Sequence, residues 1–323
     1  MSDWRPYTLN LRQPWQTARG RCTQRDGQWF CQHGADGLTG WGDYAPLPEF
    51  GIDPAAAQAF AEECARLDLA AQRAGVPLNS FLSGAPPCPS IAVNDVLGAI
   101  STVDRDQLSR SSAAGFHIIK LKVGLQDVDR ELRQLDDLAR HLAPGQRFRL
   151  DANGAWSIAE ARRFIAGSKG LPIDGLEEPL ATPTQAKLAE LQAEAAFALA
   201  IDESIDLLDA HFFAQRAVDR VILKPARHGL LASLALAWQS RAAGCEVIVT
   251  SALESACGLL AAAHLAAAVA PQAVHGLASG ALFVENADFP LITAGQLSLP
   301  SPPGLGWQGP IVGQTTKQQN TSN

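Results

Sequence analysis

Apolar and polar positions change their period roughly a quarter of the way along the chain. From residue 4 to 50, short alternating runs are separated by turn residues, the pattern of strands rather than helices. Gln24-Arg25-Asp26-Gly27 is expected to turn a hairpin, and Leu38-Thr-Gly-Trp-Gly42 to end another strand. Apolar positions then recur at helical spacing from Pro54 to Gln72, with Phe60, Cys64, Leu67 and Ala71 on one side. Asp53 is placed to cap this helix and Pro54 suits its first position. The Pro/Ser/Gly-rich stretch Ser80–Ser90 follows, so residues 1–89 read as a small α+β domain.

Beyond it, short apolar runs alternate with helical ones. Strands are expected at Ile91–Val93, Ile118–Val123, Phe148–Asp151, Gly175–Glu177, Phe197–Ile201, Val218–Lys224, Glu246–Thr250 and Ala273–Gly276. Helices are expected at Val128–His141, Ile158–Ile165, Thr184–Glu194, Leu231–Ala243 and Ala256–Ala270. Such strands, covered on both faces, describe a closed β/α barrel better than an open doubly wound sheet. No Gly-x-Gly-x-x-Gly follows the early strands, which argues against a dinucleotide fold. The barrel domain is placed at 90–289, with about 290–313 packing back on the first domain and 314–323 as a flexible polar tail.

Composition narrows the partners. The 323 residues are 47% apolar, enough for a large core, and carry a net charge of -7 without any basic block. That excludes an extended nucleic-acid surface and leaves room for a small-molecule carboxylate at a locally positive site. Cys22, Cys31, Cys64, Cys88, Cys245 and Cys257 have neither metal-site spacing nor the density of a stapled secreted domain, so reduced thiols are expected. The N-terminus has no signal-like apolar run, and the Ala/Leu-rich stretch from Cys257 to Ala270 is too short to span a bilayer. A cytoplasmic protein without a membrane partner is expected, as a monomer or small homo-oligomer.

The polar residues that punctuate the strands carry the chemistry. In Phe116-His-Ile-Ile-Lys120-Leu-Lys122-Val-Gly124, Lys120 and Lys122 fall on the same strand face. They fit either a solvated edge strand or a catalytic lysine beside a second cation. Lys122, Asp151, Glu177, Asp202 and Lys224 end consecutive strands and Ser251 follows the next, at intervals of about 22–29 residues, one strand-plus-helix unit each. They therefore gather at the C-terminal mouth of a barrel, where active sites lie. Asp151, Glu177 and Asp202 supply oxygen-only ligands for a hard divalent ion, Mg2+ first and Mn2+ second. Each could instead cap a helix or bind an arginine. Lys122 and Lys224 flank the metal strands, a geometry for moving a proton at carbon beside a metal-held carboxylate. Arg149, two residues before Asp151, is a candidate to orient a lysine or a substrate carboxylate, or else the partner of a nearby acid. Asn153 is a candidate for the shell around the ion. Arg19, Arg21 and Arg25 occupy a segment, Thr17–Asp26, able to close over the mouth, with Arg19 and Arg21 as candidate contacts to a substrate carboxylate.

Lys120-Leu-Lys122, Arg149-Leu-Asp151-Ala-Asn153, Leu176-Glu177-Glu178-Pro179, Ile201-Asp202-Glu203-Ser204 and Ile222-Leu223-Lys224-Pro225 resemble the signature strands of the enolase superfamily, in its muconate-lactonising subgroup. Gly40-Trp41-Gly42-Asp43-Tyr44-Ala45-Pro46-Leu47-Pro48 resembles the family's capping-domain motif, with Asp43 where Glu is more usual. The resemblance covers nearly the whole chain. It implies a modified TIM barrel, (β/α)7β, with an N-terminal α+β capping domain. It selects Glu177 rather than Glu178 as the ligand and leaves Glu203 to support the shell. It also implies Lys122 as proton carrier, Lys120 as its electrostatic neighbour and Lys224 as a lasting cation. Ser251-Ala-Leu-Glu254-Ser255 with Gly258 is similar to the members that dehydrate a cyclohexadiene carboxylate, where Ser251, Glu254 and Ser255 would shape the substrate pocket.

Three rival readings stand beside this one. A racemase or epimerase of the same family would use Lys122 and Lys224 as opposed bases. A barrel aldolase could form a Schiff base on Lys224 without needing three carboxylates. A non-catalytic metal-binding barrel would keep the acids and need neither lysine.

Overall fold

The computed structural model describes residues 2–17 and 20–309. Strands β1 (Ser2–Thr17), β2 (Gly20–His33) and β3 (Thr39–Tyr44) form an antiparallel sheet in that order. The turn expected at Gln24–Gly27 is not there: these residues lie within β2, opposite Asn10 to Tyr7 of β1. The polar residues that suggested a turn make cross-strand contacts instead, Thr8 Oγ1 donating to Asp26 at 2.6 Å. Gly27 serves close approach, since a Cβ there would stand 2.3 Å from the Tyr7 hydroxyl oxygen.

Helix α1 (Pro54–Arg73) forms as its sequence demands. Asp53 accepts the Ala56 amide at 2.8 Å, Pro54 opens the first turn, and Phe60, Cys64, Leu67 and Ala71 are buried. The helix lies directly on β3, where a Cβ at Gly42 would fall 1.8 Å from the Ala61 carbonyl oxygen. Helix α2 (Leu78–Ser83) occupies the start of the segment expected to be linker.

The second region contains β4 (Ser90–Val93), β5 (Asp95–Ala99), α3 (Arg105–Ala113), β6 (Ile118–Lys122), α4 (Val128–Ala139), β7 (Arg147–Asp151), α5 (Ile158–Gly167), β8 (Ile173–Glu177), α6 (Gln185–Glu194), β9 (Ala198–Ile201) and α7 (Ala210–Gln215). It continues with β10 (Arg220–Leu223), α8 (Pro225–His228), α9 (Leu230–Ala242), β11 (Glu246–Val249), α10 (Ala256–Val269) and β12 (Val274–His275), then β13 (Ile292–Thr293) and β14 (Gln296–Ser298). Strands β5 to β11 make one seven-stranded parallel sheet in sequence order. The strand expected at Ile91–Val93 is β4, and it belongs to a separate sheet ordered β12-β4-β14-β13. The parallel sheet starts at β5, whose pattern is broken where the register shifts between Val96 and Gly98. Helix α3 also escapes the apolar pattern. It is polar, buries Leu108 and Ser111, and is held by a capping box between Asp104 and Gln107.

The parallel ladder stops at β5 and β11. Strand β12 lies between those edges: Thr250 bridges to Gly276, and Val274 pairs with Ala92 of β4, the segment that runs on into β5. With two residues, β12 is too short to carry a ladder on both sides. The chain after it returns to the N-terminal region. Leu299 N donates to the Pro89 carbonyl and Leu305 N to Asp68, each at 2.8 Å, and the Trp307 ring packs against Trp29 and Trp41. All six cysteines are free thiols. Among the described residues no helix is long and apolar enough to cross a membrane.

Two buried histidines tie these layers together. His264 on α10 accepts the Asn79 amide on Nδ1 at 3.1 Å and donates from Nε2 to the Leu305 carbonyl. His275 on β12 accepts the Val249 amide on Nδ1 at 3.0 Å and donates from Nε2 to the Ala270 carbonyl. Both rings are neutral, because a proton on Nδ1 would face an N–H donor. Burial pushes each down to about 4. A histidine depressed from about 6.5 favours folding fully above its unfolded value and loses that contribution as pH falls toward 4, about 3 kcal/mol apiece. Burial raises Asp43, Asp68, Glu178 and Glu254, which gives the opposite slope. The measurement is therefore a comparison: between pH 7 and 4, denaturant titration should show the wild type losing more stability than His264→Gln, and parallel curves would refute the assignment.

Candidate active site

The C-terminal ends of β6 to β11 place the signature residues side by side. Lys120 and Lys122 are on β6, Asp151 and Glu177 are the last residues of β7 and β8, and Asp202 and Lys224 immediately follow β9 and β10. The register aligns Lys122 with Asp151 and Asp151 with Glu177. A cavity at this end is lined by Lys120, Lys122, Asp151, Asn153, Glu203 and Lys224 on its charged side. Thr250, Ser251 and Gly276 line it from the β11 side.

Ion pairs balance the buried acids. Lys120 Nζ contacts Asp151 Oδ2 at 3.0 Å and also binds Glu177, so it bridges two acids. Lys122 Nζ lies 3.2 Å from Asp151 Oδ2 and donates to Asn153 Oδ1. Lys224 pairs with Asp202. Burial alone would lower the Lys120 pKa, but Asp151, Glu177 and Asp202 together hold it above the ordinary lysine range. Lys224 is treated the same way, with Asp202 and Glu203 outweighing burial. For Asp151 burial acts upward, yet Lys120 and Lys122 keep the carboxyl below its usual range. The three lysines are thereby distinguished: Lys120 and Lys224 are clamped cations, whereas Lys122 touches one carboxylate and one neutral amide oxygen.

Among the described residues no three acids converge closely enough to hold an ion as they stand, because ammonium groups occupy the space between them. The donor set nevertheless fits a hard divalent cation. Asp151, Glu177 and Asp202 offer oxygen ligands from three adjacent strands, and Glu177 Oε1 is fully buried without a hydrogen-bond partner. Such an orphaned carboxylate oxygen is costly unless a ligand completes it.

The loops around these acids are held by residues the sequence pattern does not single out. Glu178 has a positive φ of 42°, and its carboxylate accepts Asp202 N at 2.9 Å, Ser204 N at 3.2 Å and the Ser204 hydroxyl. It thus brackets the loop that presents Asp202. Asn153, also at positive φ, links Lys122 to Glu203, donating from Nδ2 to Glu203 Oε1 at 3.0 Å. Strained backbone of this kind persists where the surroundings over-determine it. Asp43 of β3 receives the Tyr7 hydroxyl at 2.7 Å, Ser255 N at 2.8 Å and Ser255 Oγ at 2.9 Å. Burial pushes its carboxyl up against these bonds. Asp43 thereby joins the N-terminal sheet to the start of α10.

Several expected substrate contacts are engaged elsewhere. Arg149 is buried away from the cavity lining, with Nε 2.9 Å from Asp174 Oδ2 and Nη1 donating to Asn94 and to the Val274 carbonyl. Asp174 also binds Arg220 at 2.8 Å, so Arg149 belongs to a charged network within the sheet rather than to a ligand contact. The residue one position off its register, at the β7–β8 bulge, is what turns Asp174 toward it. Glu254 closes its own turn, both oxygens accepting Ala252 N at 2.9 Å, and Ser255 is engaged by Asp43 and by Trp29 Nε1. Of that segment's candidates Ser251 lines the cavity. Arg25 is buried, donating to the Ala45, Pro46 and Leu253 carbonyls, which removes it from any mobile loop. Arg19 and the Arg21 side chain lie outside the described residues.

Known proteins share this arrangement. Residues 104–309 match the family described as Enolase C-terminal domain-like. The o-succinylbenzoate synthase of Pectobacterium atrosepticum is 32% identical over 263 residues, covering 75% of this chain and 79% of that protein. That of Yersinia pseudotuberculosis serotype O:3 is 31% identical over 300 residues, covering 81% and 87%. Among solved structures, the L-Ala-D/L-Glu epimerase from Bacillus subtilis superposes with a TM-score of 0.85 at 20% identity over 96% of this chain and 98% of that one. Muconate lactonizing enzyme from Pseudomonas fluorescens gives 0.83 at 23% over 95% of each. A dipeptide epimerase from Enterococcus faecalis, complexed with Mg and a dipeptide, gives 0.83 at 20% over 94% and 98%. The low identities of the structures establish the fold alone. The family match and the longer relatives together show that this chain is an enzyme of the enolase superfamily, a fold carrying an N-terminal capping domain.

Proposed function

We propose that the enzyme is an o-succinylbenzoate synthase, a lyase that dehydrates 2-succinyl-6-hydroxy-2,4-cyclohexadiene-1-carboxylate to o-succinylbenzoate in menaquinone biosynthesis. The carrying observation is the 31% identity to a synthase of that name over 81% of this chain and 87% of the relative. The lysine arrangement is consistent with the chemistry. In this reading residues 1–89 are the capping domain and 90–289 a (β/α)7β barrel closed through β12, with 290–309 returning to the cap.

Asp151, Glu177 and Asp202 would hold Mg2+, with Mn2+ as a substitute. A bound ion supplies Lewis-acid stabilisation to the ring carboxylate. Lys122 takes the proton α to that carboxylate, its Nζ oriented by Asn153 Oδ1. The C–H electron pair enters the ring system, the ring carbon–oxygen bond breaks on the same face, and the proton on Lys122 passes to the departing hydroxide. Water leaves and the ring becomes aromatic, so atoms and charge balance. Lys224, kept cationic by Asp202 and Glu203, stabilises the negative charge that develops on the enediolate. Buried side chains around the lysines exclude bulk water from the reacting atoms.

Incubation of the purified enzyme with the cyclohexadiene substrate and Mg2+ should yield the aromatic product, followed by its ultraviolet absorbance. Absence of product, or full activity after removal of divalent ions, would overturn the reading. Lys122 and Lys224 line one cavity, which also permits two-base racemisation of an N-succinylamino acid or epimerisation of a dipeptide. Exchange of the substrate α-proton in deuterated water reports that activity.

A further inference from the structure

The β11 side of the cavity carries a hydroxyl that nothing above employs. The Ser251 and Ser279 hydroxyls bond each other at 2.7 Å, and Ser251 Oγ also accepts Leu253 N at 3.0 Å. Thr250 Oγ1 differs. Thr250 lines the cavity at 6% exposure, and its hydroxyl oxygen is buried without a hydrogen-bond partner among the described residues. A desolvated hydroxyl left unpaired costs about 1–3 kcal/mol, a cost a bound ligand can relieve. The other cavity-lining atom in this condition is Glu203 Oε2, so the cavity collects unmet polar valences.

The orientation of Thr250 is determined by its surroundings. Its amide donates to the Leu223 carbonyl at 2.9 Å and its backbone bridges to Gly276. Its methyl lies over Gly276, where a Cβ would stand 2.7 Å from Thr250 Cγ2. A β-branched side chain has few χ1 wells, so the hydroxyl cannot trade places with the methyl without losing that contact. The reacting carboxylate must meet Lys122 and the acids of β7 to β9. A hydroxyl at the end of β11 instead reaches a different part of the bound molecule.

We infer that Thr250 is a substrate-contacting residue, its hydroxyl donating to a carbonyl or carboxylate oxygen on the side chain that the substrate bears next to its reacting carboxylate. This rests on the dehydratase reading above. The variants Thr250→Val, which keeps the shape, and Thr250→Ser, which keeps the hydroxyl, separate the contact from a structural role. Thr250→Val should lower kcat/KM about 10-fold or more, mainly through KM, and Thr250→Ser should stay within about 3-fold of wild type. The thermal midpoint of Thr250→Val should match or exceed that of wild type, because an unpaired buried hydroxyl has been replaced by an isosteric methyl. Wild-type kcat/KM in Thr250→Val, or a lowered midpoint with unchanged KM, overturns the inference while leaving the dehydratase reading intact. A wild type that binds o-succinylbenzoate without turning over the diene sinks that reading, and the Kd of Thr250→Val for o-succinylbenzoate then decides the inference. A wild type that does neither sinks both.

Discussion

Lys122→Ala is expected to lower kcat for dehydration by about 10^3- to 10^4-fold in a protein that still folds, the upper range for loss of a positioned general base. The size of the effect follows from Lys122 having two duties on one face, removing the ring proton and returning it to the departing hydroxide. Lys224 provides the contrasting case. Its ammonium is held by Asp202, and both Asp202 and Glu203 raise its pKa against burial. Lys224→Arg keeps a cation there but cannot serve as a base, since arginine stays protonated. In a dehydratase that uses Lys224 as a cation, Lys224→Arg should retain activity well above that of Lys122→Ala. In a two-base racemase it should abolish proton exchange from one enantiomer as completely as Lys122→Ala does from the other. Stopped-flow rates with the diene, and exchange with each N-succinylamino acid enantiomer, separate these outcomes. Equal and total loss of dehydration in both variants would contradict the separate roles, provided circular dichroism shows both to be folded.

Glu177→Gln should weaken Mn2+ binding by about 100-fold or more, since even partners behind the direct ligands are commonly worth 10–100-fold. Dehydration at low millimolar Mg2+ should disappear with it. The carboxylate is fully buried, one oxygen binds Lys120 and the other has no partner. The neutral amide removes the charge that an ion requires and leaves Lys120 held by Asp151 alone. Calorimetric Mn2+ titration of the folded variant reads the metal site independently of turnover. Unchanged Mn2+ affinity would remove Glu177 from the ligand set. Undiminished wild-type activity after chelation and dialysis would remove the metal from the reaction.

The acids and lysines were legible because each ends or follows a strand at a repeated interval, and parallel strands with returning helices bring those ends to one side. Lys120, Lys122, Asp151, Glu177, Asp202 and Lys224 need little beyond that rule to be brought together. The helix at Pro54 was equally plain, because cap, proline and apolar face agree locally. The limits appear where a local pattern has more than one spatial outcome. Gln24–Gly27 has turn composition, yet its polar side chains pair across a ladder whose partner lies some 15–20 residues earlier. Strand β5 is divided by a register shift at Gly98, which no apolar count reveals.

The same division runs through the site. Alternation assigns Arg149 and Asp151 to one face, but it cannot separate the cavity from the layer beneath it. Only the packing of Asp174, Asn94 and Val274 around Arg149 does so. Ser251, Glu254 and Ser255 are near neighbours in sequence, and the tertiary structure sends them to the cavity, to their own turn and to Asp43. Glu178, Asp43 and Thr250 acquire meaning through partners up to 212 residues away or through the lack of one. The sequence by itself determined which chemical groups reach the C-terminal end, because strand periodicity and chain reversal are local properties. Which of them meet each other, and which remain open to a ligand, was decided by tertiary packing, because hydrogen-bond partnership depends on side-chain distances of a few ångströms that strand periodicity does not specify.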